Sequence, residues 1–183
     1  MRVVFHRSER LLLRPIWPED WRGILGGIAD EGVVRNLSRA PWPYGEADAR
    51  KFASLSIGAM TPRFIVSRAA DAALVGCIGI DALDDRADVV ELGYWIARDH
   101  WGRGYATEAG RAVLEIARTL GHTQIIASHF LDNPASGRVL EKLGFAPTGR
   151  TVMRHSCGRD AEAETREYAL DLGALKAPVP VAA

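Results

Sequence analysis

Apolar positions recur along the chain in two spacings, which together predict about seven strands and several helices. Short apolar runs bounded by proline, glycine or charged residues predict strands. These runs lie at 9–15, 63–69, 73–83, 88–97, 124–130, 145–156 and 164–172. Helical patterns begin at 17–21 and run near 46–58, near 104–120 and within 133–145, where Gly144 and Phe145 mark the stop; an acidic turn lies at 83–88. This order indicates one α+β (α/β) domain with a mixed sheet over residues 1–172, followed by a flexible tail at 173–183.

The stretch "DHWGRGYATEAGRAVLEIA" at 99–117 holds the strongest local signal. Small or apolar residues recur there at steps of three and four, at Ala106, Ala109, Val113, Ile116, Ala117 and Leu120. We therefore expect a helix that begins at or just after Gly104. The first N–H groups of a helix have no intrahelical partner and lie at its positive end, so Gly102 and Gly104 would let an anion reach the backbone there. A strand, a glycine-rich loop and a helix in this order predict a phosphate-binding loop.

Two familiar phosphate-binding motifs do not fit this loop. No Gly-Lys-Ser/Thr follows, as in a P-loop, and Gly102-Arg-Gly104-Tyr-Ala-Thr107 lacks the third glycine of a dinucleotide fingerprint. Taken alone, the Gly-x-Gly pattern is equally typical of a connection that binds nothing.

Composition, charge and cysteine spacing narrow the classes of function that the chain can have. Lys+Arg and Asp+Glu number 23 each, which gives no support for a nucleic-acid partner. The N-terminus has no signal-peptide pattern, and no apolar run is long enough to span a membrane. Cys77 and Cys157 show no metal or redox spacing. We expect a cytoplasmic protein with no metal.

Five consecutive segments resemble the GNAT superfamily of N-acetyltransferases. They are ELGYWIARDH (91–100), WGRGYA (101–106), TEAGRAVLEIA (107–117), IIASHF (125–130) and NPASGRVLEKLGF (133–145). Within that superfamily the chain is most similar to the branch that includes ribosomal-protein alanine or serine N-terminal acetyltransferases. The segments ERLLLRP (9–15) and PWPYGEADARKF (41–52) also resemble that branch. The resemblance covers about residues 9–172.

The resemblance implies a twisted mixed sheet with helices on both faces, whose fourth and fifth strands splay apart around acetyl-CoA. It implies an acyltransferase of groups other than aminoacyl groups. The cofactor-binding residues it implies are Trp95, Ile96, Trp101, Gly102, Arg103, Gly104, Tyr105, Ala106, Thr107, Asn133 and Ser136. Many members carry Arg or Gln where Trp101 stands, so backbone amides and Arg103 would have to balance the phosphate charge. Arg103 also fits a solvated surface residue.

Asn133 and Ser136 belong to the second informative stretch. Asn133 before Pro134 is a good helix N-cap, and the resemblance adds a hydrogen bond to the pantetheine arm. Many members place a tyrosine acid near position 140, where this chain has Leu140. Ser136, one turn earlier, is the expected substitute as general acid to the leaving thiolate. A plain helix-surface serine is the alternative.

Glu91 is the candidate general base. Strand alternation puts Glu91, Gly93 and Trp95 on one side of a strand that flanks the slot. A carboxylate in a mainly apolar strand needs a reason, because burying it without a partner is costly. The alternative is a salt-bridged or sheet-edge glutamate.

Weaker candidates surround these residues. His100 and His129 flank the slot and suit a proton relay, although each also fits a strand or loop end. Glu108 fits a helix N-terminus without any further role. Four aromatic residues of the N-terminal segments suit either one wall of the acceptor site or the core: Trp17, Trp21, Trp42 and Tyr44. The loop 154–160 would close the site from the other side, with Cys157 a bystander.

Two function classes follow from the sequence. The first is an acetyl-CoA-dependent N-acetyltransferase whose acceptor is a protein N-terminus or a small amine such as an aminoglycoside, polyamine or amino acid. The second is a non-catalytic acyl-CoA-binding module in which Glu91 and Ser136 are structural. We expect acetyl-CoA and an amine as partners, with neither nucleic acid nor membrane, and a homodimer stays open.

Overall fold

The fold is known from a computed structural model that describes residues 4–56, 58–83 and 86–173. Among these residues the strands are β1 (His6–Arg7), β2 (Leu11–Pro15), β3 (Arg63–Arg68), β4 (Leu74–Leu83), β5 (Arg86–Ile96), β6 (Gln124–Phe130), β7 (Ala146–Ser156) and β8 (Ala161–Asp171). The helices are α1 (Trp21–Ile28), α2 (Glu31–Val34), α3 (Glu46–Ala53), α4 (Tyr105–Thr119) and α5 (Pro134–Lys142). Short 3-10 turns precede α1 at Pro18–Asp20 and α4 at Arg98–His100.

The strands form one mixed sheet in the order β1-β2-β3-β4-β5-β6-β8-β7. Among the described strands, the β5–β6 pair alone is parallel, and its register covers Val89↔Gln124, Val90↔Ile125 and Glu91↔Ile126. Beyond Glu91, β5 stays paired with β4 as far as Ile96, and β6 stays paired with β8 as far as Phe130. The two strands therefore separate in the middle of the sheet, which confirms the expected splay.

Helices cover both faces of the sheet, each over its own hydrophobic core. The first core packs α4 and α5 against one face and includes Leu92, Val113 and Leu140. The second packs α1, α2 and α3 against the other face and includes Ile24 and Trp95. We call these the α4 face and the α1 face. Side chains alternate between the two faces along a strand. Tyr94 therefore packs on the α4 face, whereas Glu91 lies on the same side of β5 as Trp95, which is the α1 face.

The predicted elements agree with the structure over most of the chain, with differences at the ends. The sheet has eight described strands instead of about seven, because the two residues of β1 pair with Leu12 and Leu13. The helix predicted over 46–58 ends at Ala53, where the backbone N–H of Ser54 bonds to the carbonyl of Arg50. Serine competes for backbone hydrogen bonds and disfavours a helix interior.

One helix was missed, and two predicted segments lie partly outside the described residues. Helix α2 was not predicted, although Asp30 caps it by accepting a hydrogen bond from the Val33 N–H at 3.2 Å. The predicted acidic turn includes positions 84–85, and the predicted tail includes positions 174–183; both ranges lie outside the described residues.

Candidate functional site

The loop between β5 and α4 leaves the N-terminus of a long helix open. Gly104 is the N-cap residue of α4 with φ +79°, and Gly102 has φ +73°. Both values lie in the left-handed region, which glycine adopts at little cost. No side chain among the described residues caps this helix. The first backbone N–H groups of α4 therefore lie at a positive helix end that has no capping side chain.

Glu108 holds this loop against the start of the sheet. Its carboxylate accepts hydrogen bonds from Ser8 Oγ at 2.7 Å, from the Arg10 backbone N–H at 2.8 Å and from Arg10 Nε at 2.7 Å. Arg10 Nη1 in turn donates to the Arg103 carbonyl at 3.1 Å. Burial alone would raise the pKa of Glu108, but the hydrogen bonds from Ser8 and Arg10 bring it below its usual value. Glu108 thus does more than complement the helix dipole, because it ties the β1–β2 turn to α4.

Trp101 fastens the other end of the loop. Its indole Nε1–H donates to the carbonyl oxygen of Ile96 at 2.7 Å, and its side chain is 46% exposed. The Ile96 carbonyl lies at the end of β5, where β6 has already separated. The tryptophan in a glycine-rich loop is thereby explained, since it fixes the loop to the strand.

A cavity of about 1560 Å³ occupies the gap between the separated strands. Its walls include both strand edges, at Leu92–Ile96 and Ala127–Phe130, and the start of α5. Ten of the eleven predicted cofactor-binding residues line it: Trp95, Ile96, Trp101, Gly102, Gly104, Tyr105, Ala106, Thr107, Asn133 and Ser136. Arg103 is not among the lining residues of the described chain. The structure therefore brings the predicted loop, strand and helix together around one cavity, and their role toward a cofactor stays a prediction.

Glu91 lies where the two strands separate. Its Oε1 accepts hydrogen bonds from Ser128 Oγ at 3.1 Å and from Arg154 Nη1 at 2.8 Å, and its side chain is 18% exposed. Neither of these two bonds falls on Oε2. The expected salt bridge and the position beside the cavity therefore coexist, and one carboxylate oxygen is left for another partner.

Ser136 lies in the first turn of α5, on the α4 face of the cavity. The backbone N–H of Ser136 donates to Asn133 Oδ1 at 3.3 Å, so Asn133 is the helix N-cap that the sequence predicts. Ser136 Oγ lies 2.8 Å from the phenolic oxygen of Tyr94. Burial raises the pKa of Tyr94 to about 12. Leu140, one turn later, is 1% exposed and belongs to the core.

Two of these partners escaped the sequence analysis. Tyr94 stands between Gly93 and Trp95 in the predicted strand, and alternation alone would have placed it on the face opposite Glu91. Arg154 begins the 154–160 loop that was expected to close the site, but no local pattern links it to Glu91.

The hairpin between β7 and β8 borders one side of the cavity, where a loop over 154–160 was predicted; residues 154–156 belong to strand β7 instead. The backbone N–H of Cys157 donates to the Ser38 carbonyl at 2.9 Å, and Ser156 Oγ donates to the Leu37 carbonyl at 2.8 Å. Arg159 forms two hydrogen bonds of 2.8 Å with Asp132, which precedes α5. Arg154 and Cys157 line the cavity, and Cys157 is exposed.

The weaker candidates divide into cavity residues and others. His100 and His129 line the cavity, and each has one buried ring nitrogen, Nδ1 and Nε2 respectively, without a partner among the described residues. Tyr44 also lines it, whereas Trp17, Trp21 and Trp42 are not among its described lining residues. Trp17 stacks under the Arg14 guanidinium, and Trp21 under Arg22 and Arg50. Trp17 and Trp21 thus pack against arginines of the N-terminal half, and Trp42 is exposed.

Metal-binding clusters and membrane-spanning helices are both absent from the described residues. No group of three or more His, Cys, Asp and Glu side chains is placed to hold a metal ion there. No helix in the same residues is both long and apolar enough to cross a membrane.

Comparisons with known proteins agree with this geometry. The family model for an acetyltransferase (GNAT) domain matches residues 10–146. YoaA of Bacillus subtilis, named an uncharacterized N-acetyltransferase, is 32% identical over 146 residues, which cover 78% of this chain and 82% of YoaA. YdaF of the same organism, provisionally named a ribosomal N-acetyltransferase, is 32% identical over 81 residues, or 44% of each chain. A GNAT-family acetyltransferase structure from Bacillus anthracis aligns with a TM-score of 0.80 and 26% identity, covering 93% of this chain and 99% of that one.

Proposed function

The chain belongs to the GNAT acetyltransferase family, and from this premise we propose that it acetylates the α-amino group of a peptide or protein directly from acetyl-CoA. The observation that carries the proposal is the arrangement around the separated strands. Glu91 borders the cavity from the α1 face of the sheet, and the Ser136–Tyr94 pair borders it from the α4 face. A group that can accept a proton and a group that can donate a hydrogen bond thus lie on opposite sides of one slot.

The residues of the slot fit the phosphates and the arm of CoA. The backbone N–H groups at the start of α4 are available to a diphosphate, and Gly102 has no atom within 4 Å of the place where a Cβ would stand. Trp95 and Ile96 lie on a part of β5 that β6 does not pair with, although Trp101 occupies the Ile96 carbonyl, and Asn133 stands at the start of α5. Acetyl-CoA, when bound, supplies a thioester whose acetyl group passes to an amine with release of the thiol.

Glu91 is proposed to accept the proton of the acceptor ammonium, directly or through one water. An α-amino group titrates near pH 8, so part of it is already neutral at physiological pH, and a carboxylate needs only to assist. Oε2 is the oxygen for this task, because the bonds from Ser128 and Arg154 both fall on Oε1. Arg154 keeps the side chain in place at the point where the strands separate.

Ser136 is proposed to donate a hydrogen bond to the sulfur as the C–S bond breaks. It lies in the first turn of α5, where the helix dipole also favours negative charge. A thiolate leaves readily, so a hydroxyl that stabilises its charge is sufficient.

The peptide acceptor is the finer part of the proposal. The partial likeness to YdaF supports it, because that protein is provisionally named a ribosomal N-acetyltransferase.

An acceptor screen tests the proposal. Thiol release from acetyl-CoA is followed with short peptides of varied first residue, with the same peptides blocked at the N-terminus, and with small amines. We expect release with free peptides only. Release with small amines alone would overturn the peptide acceptor, and CoA binding without release for any amine would favour a non-catalytic binding module.

A further inference from the structure

We propose that Tyr94 is a positioning residue that orients the Ser136 hydroxyl toward the sulfur of CoA. The inference rests on the proposed function, because it assigns a partner to the group that faces the leaving thiol. It concerns a residue pair that strand β5 and helix α5 bring together from positions 42 residues apart.

The direction of the hydrogen bond follows from the chemistry of the two hydroxyls. Tyr94 and Ser136 both line the cavity, and the phenolic oxygen of Tyr94 lies 2.8 Å from Ser136 Oγ. A phenol is more acidic than an alcohol and is the stronger donor of the two, so the Tyr94 O–H donates to Ser136 Oγ. Ser136 lines the cavity, and its own O–H is then free to donate into the slot.

The Ser136 side chain is thereby held at two points. Asn133 Oδ1 accepts from the Ser136 backbone N–H at 3.3 Å and fixes the start of α5. Tyr94 occupies the acceptor side of Ser136 Oγ and so restricts rotation of the hydroxyl. A donor fixed in advance stabilises developing charge without reorganising during the reaction.

Neither hydroxyl has to lose its proton in this arrangement. Burial raises the pKa of Tyr94 to about 12, so the phenol stays protonated through the neutral range. When the C–S bond breaks, its electron pair goes to sulfur, and the Ser136 O–H donates a hydrogen bond to that charge. Polarisation by the Tyr94 O–H makes the Ser136 O–H a stronger donor.

The thiol of bound CoA reports on this pair without any turnover. The far-ultraviolet absorbance of the thiolate, followed against pH, gives the pKa of the CoA thiol in the binary complex. The complex with desulfo-CoA, which has no thiol, gives the background absorbance of the protein's own Cys157. Ser136→Ala should lower the thiolate-to-thiol ratio at fixed pH about 10- to 100-fold, as expected for losing a hydrogen bond to a charged group. Tyr94→Phe should lower it about 3- to 10-fold, the range for a neutral hydrogen bond.

The double variant decides between positioning and packing. If Tyr94 acts through Ser136, Tyr94→Phe in the Ser136→Ala background changes nothing further. The same pattern should appear in kcat, while KM for acetyl-CoA stays near that of the unmodified protein. Tyr168→Phe is the matched control, because it removes a hydroxyl from a buried tyrosine whose partner is Glu141 at 3.4 Å and which does not line the cavity.

A second measurement covers the case in which Tyr94→Phe does not fold. Replacing tyrosine by 3-fluorotyrosine makes the phenol more acidic with little change of shape, and it should raise the thiolate fraction of bound CoA in the natural sequence but not in Ser136→Ala. Tyr94→Phe with an unchanged thiol pKa, or effects of the two substitutions that simply add, would overturn the inference. Absence of thiol release by the unmodified protein with every amine would instead overturn the proposed function.

Discussion

Gly104→Val tests whether the loop before α4 binds the phosphates of CoA through its backbone. Gly104 has φ +79°, and the atom nearest to an added Cβ is Arg10 Nη2 at 3.6 Å, an ordinary contact. The protein itself therefore has space for a Cβ at this position, and the backbone strain of the positive φ is the cost within the protein. What the substitution changes is the approach of an anion to the N–H groups at the start of α4.

The expected effect has two separable parts. A side chain in the left-handed conformation costs about 1–2 kcal/mol, which a domain of about 5–15 kcal/mol tolerates. Each charge-assisted hydrogen bond to phosphate is worth about 1.5–3 kcal/mol, so losing two weakens CoA binding by about 3–6 kcal/mol, or more than 100-fold. The loss of affinity should therefore far exceed the loss of stability.

Gly121→Val is the matched control. Gly121 follows the other end of α4 with φ +91° and has no atom within 4 Å of its added Cβ, so the strain is similar and the phosphate site is distant. Urea unfolding should show a comparable destabilisation of both variants, and calorimetry should show lost CoA affinity only in Gly104→Val. Unchanged affinity in a folded Gly104→Val protein would refute the phosphate assignment. Equal losses in both variants would assign the effect to strain in α4.

Two carboxylates give the remaining predictions. Glu91→Gln keeps the shape of the side chain and removes its basicity. The rate of acetylation should therefore fall most at neutral pH and recover at high pH, where the neutral amine is abundant. A loss of rate that is the same at every pH would indicate that Glu91 positions the acceptor instead. Glu108→Gln should lower the urea midpoint at neutral pH, whereas Glu115→Gln on an exposed part of α4 should not. Because the folded-state pKa of Glu108 is lowered, its stabilisation is present above the unfolded-state pKa and disappears as the pH falls through the folded-state value. A stability difference that persisted at low pH would contradict this account of Glu108.

The parts of the site that were predicted from sequence rest on local signals. The start of α4 follows from Gly104 and the helical spacing after it, and the start of α5 follows from Asn133 and Pro134. Caps and periodicity act over a few residues, so a single sequence displays them directly. The likeness to a known family then placed both helix ends around one slot.

The partners of the two candidate catalytic side chains were not predictable in this way. Arg154 lies 63 residues from Glu91, and Tyr94 lies 42 residues from Ser136. Each pair depends on the tertiary packing of separate segments: Arg154 reaches Glu91 although β6 and β8 lie between β7 and β5 in the sheet, and α5 packs over the sheet beside Tyr94. No periodicity within either segment encodes that packing. Helix α2 was missed for a different reason, since four residues are too few for a periodic pattern.

Leu140 and Tyr94 together account for the departure from the family pattern of a tyrosine acid on this helix. Leu140 is 1% exposed within the core of the α4 face, so a tyrosine there would require repacking. The phenol stands instead on β5, where it is hydrogen-bonded to the Ser136 alcohol, and both side chains line the cavity. Because burial raises the pKa of Tyr94 to about 12 and an alcohol does not ionise near neutral pH, the donor side of the slot keeps one protonation state throughout that range. Neither hydroxyl then contributes a pH-dependent step near neutrality, so a difference between the pH–rate profiles of the unmodified protein and Glu91→Gln is assigned to Glu91 and not to the Ser136–Tyr94 pair.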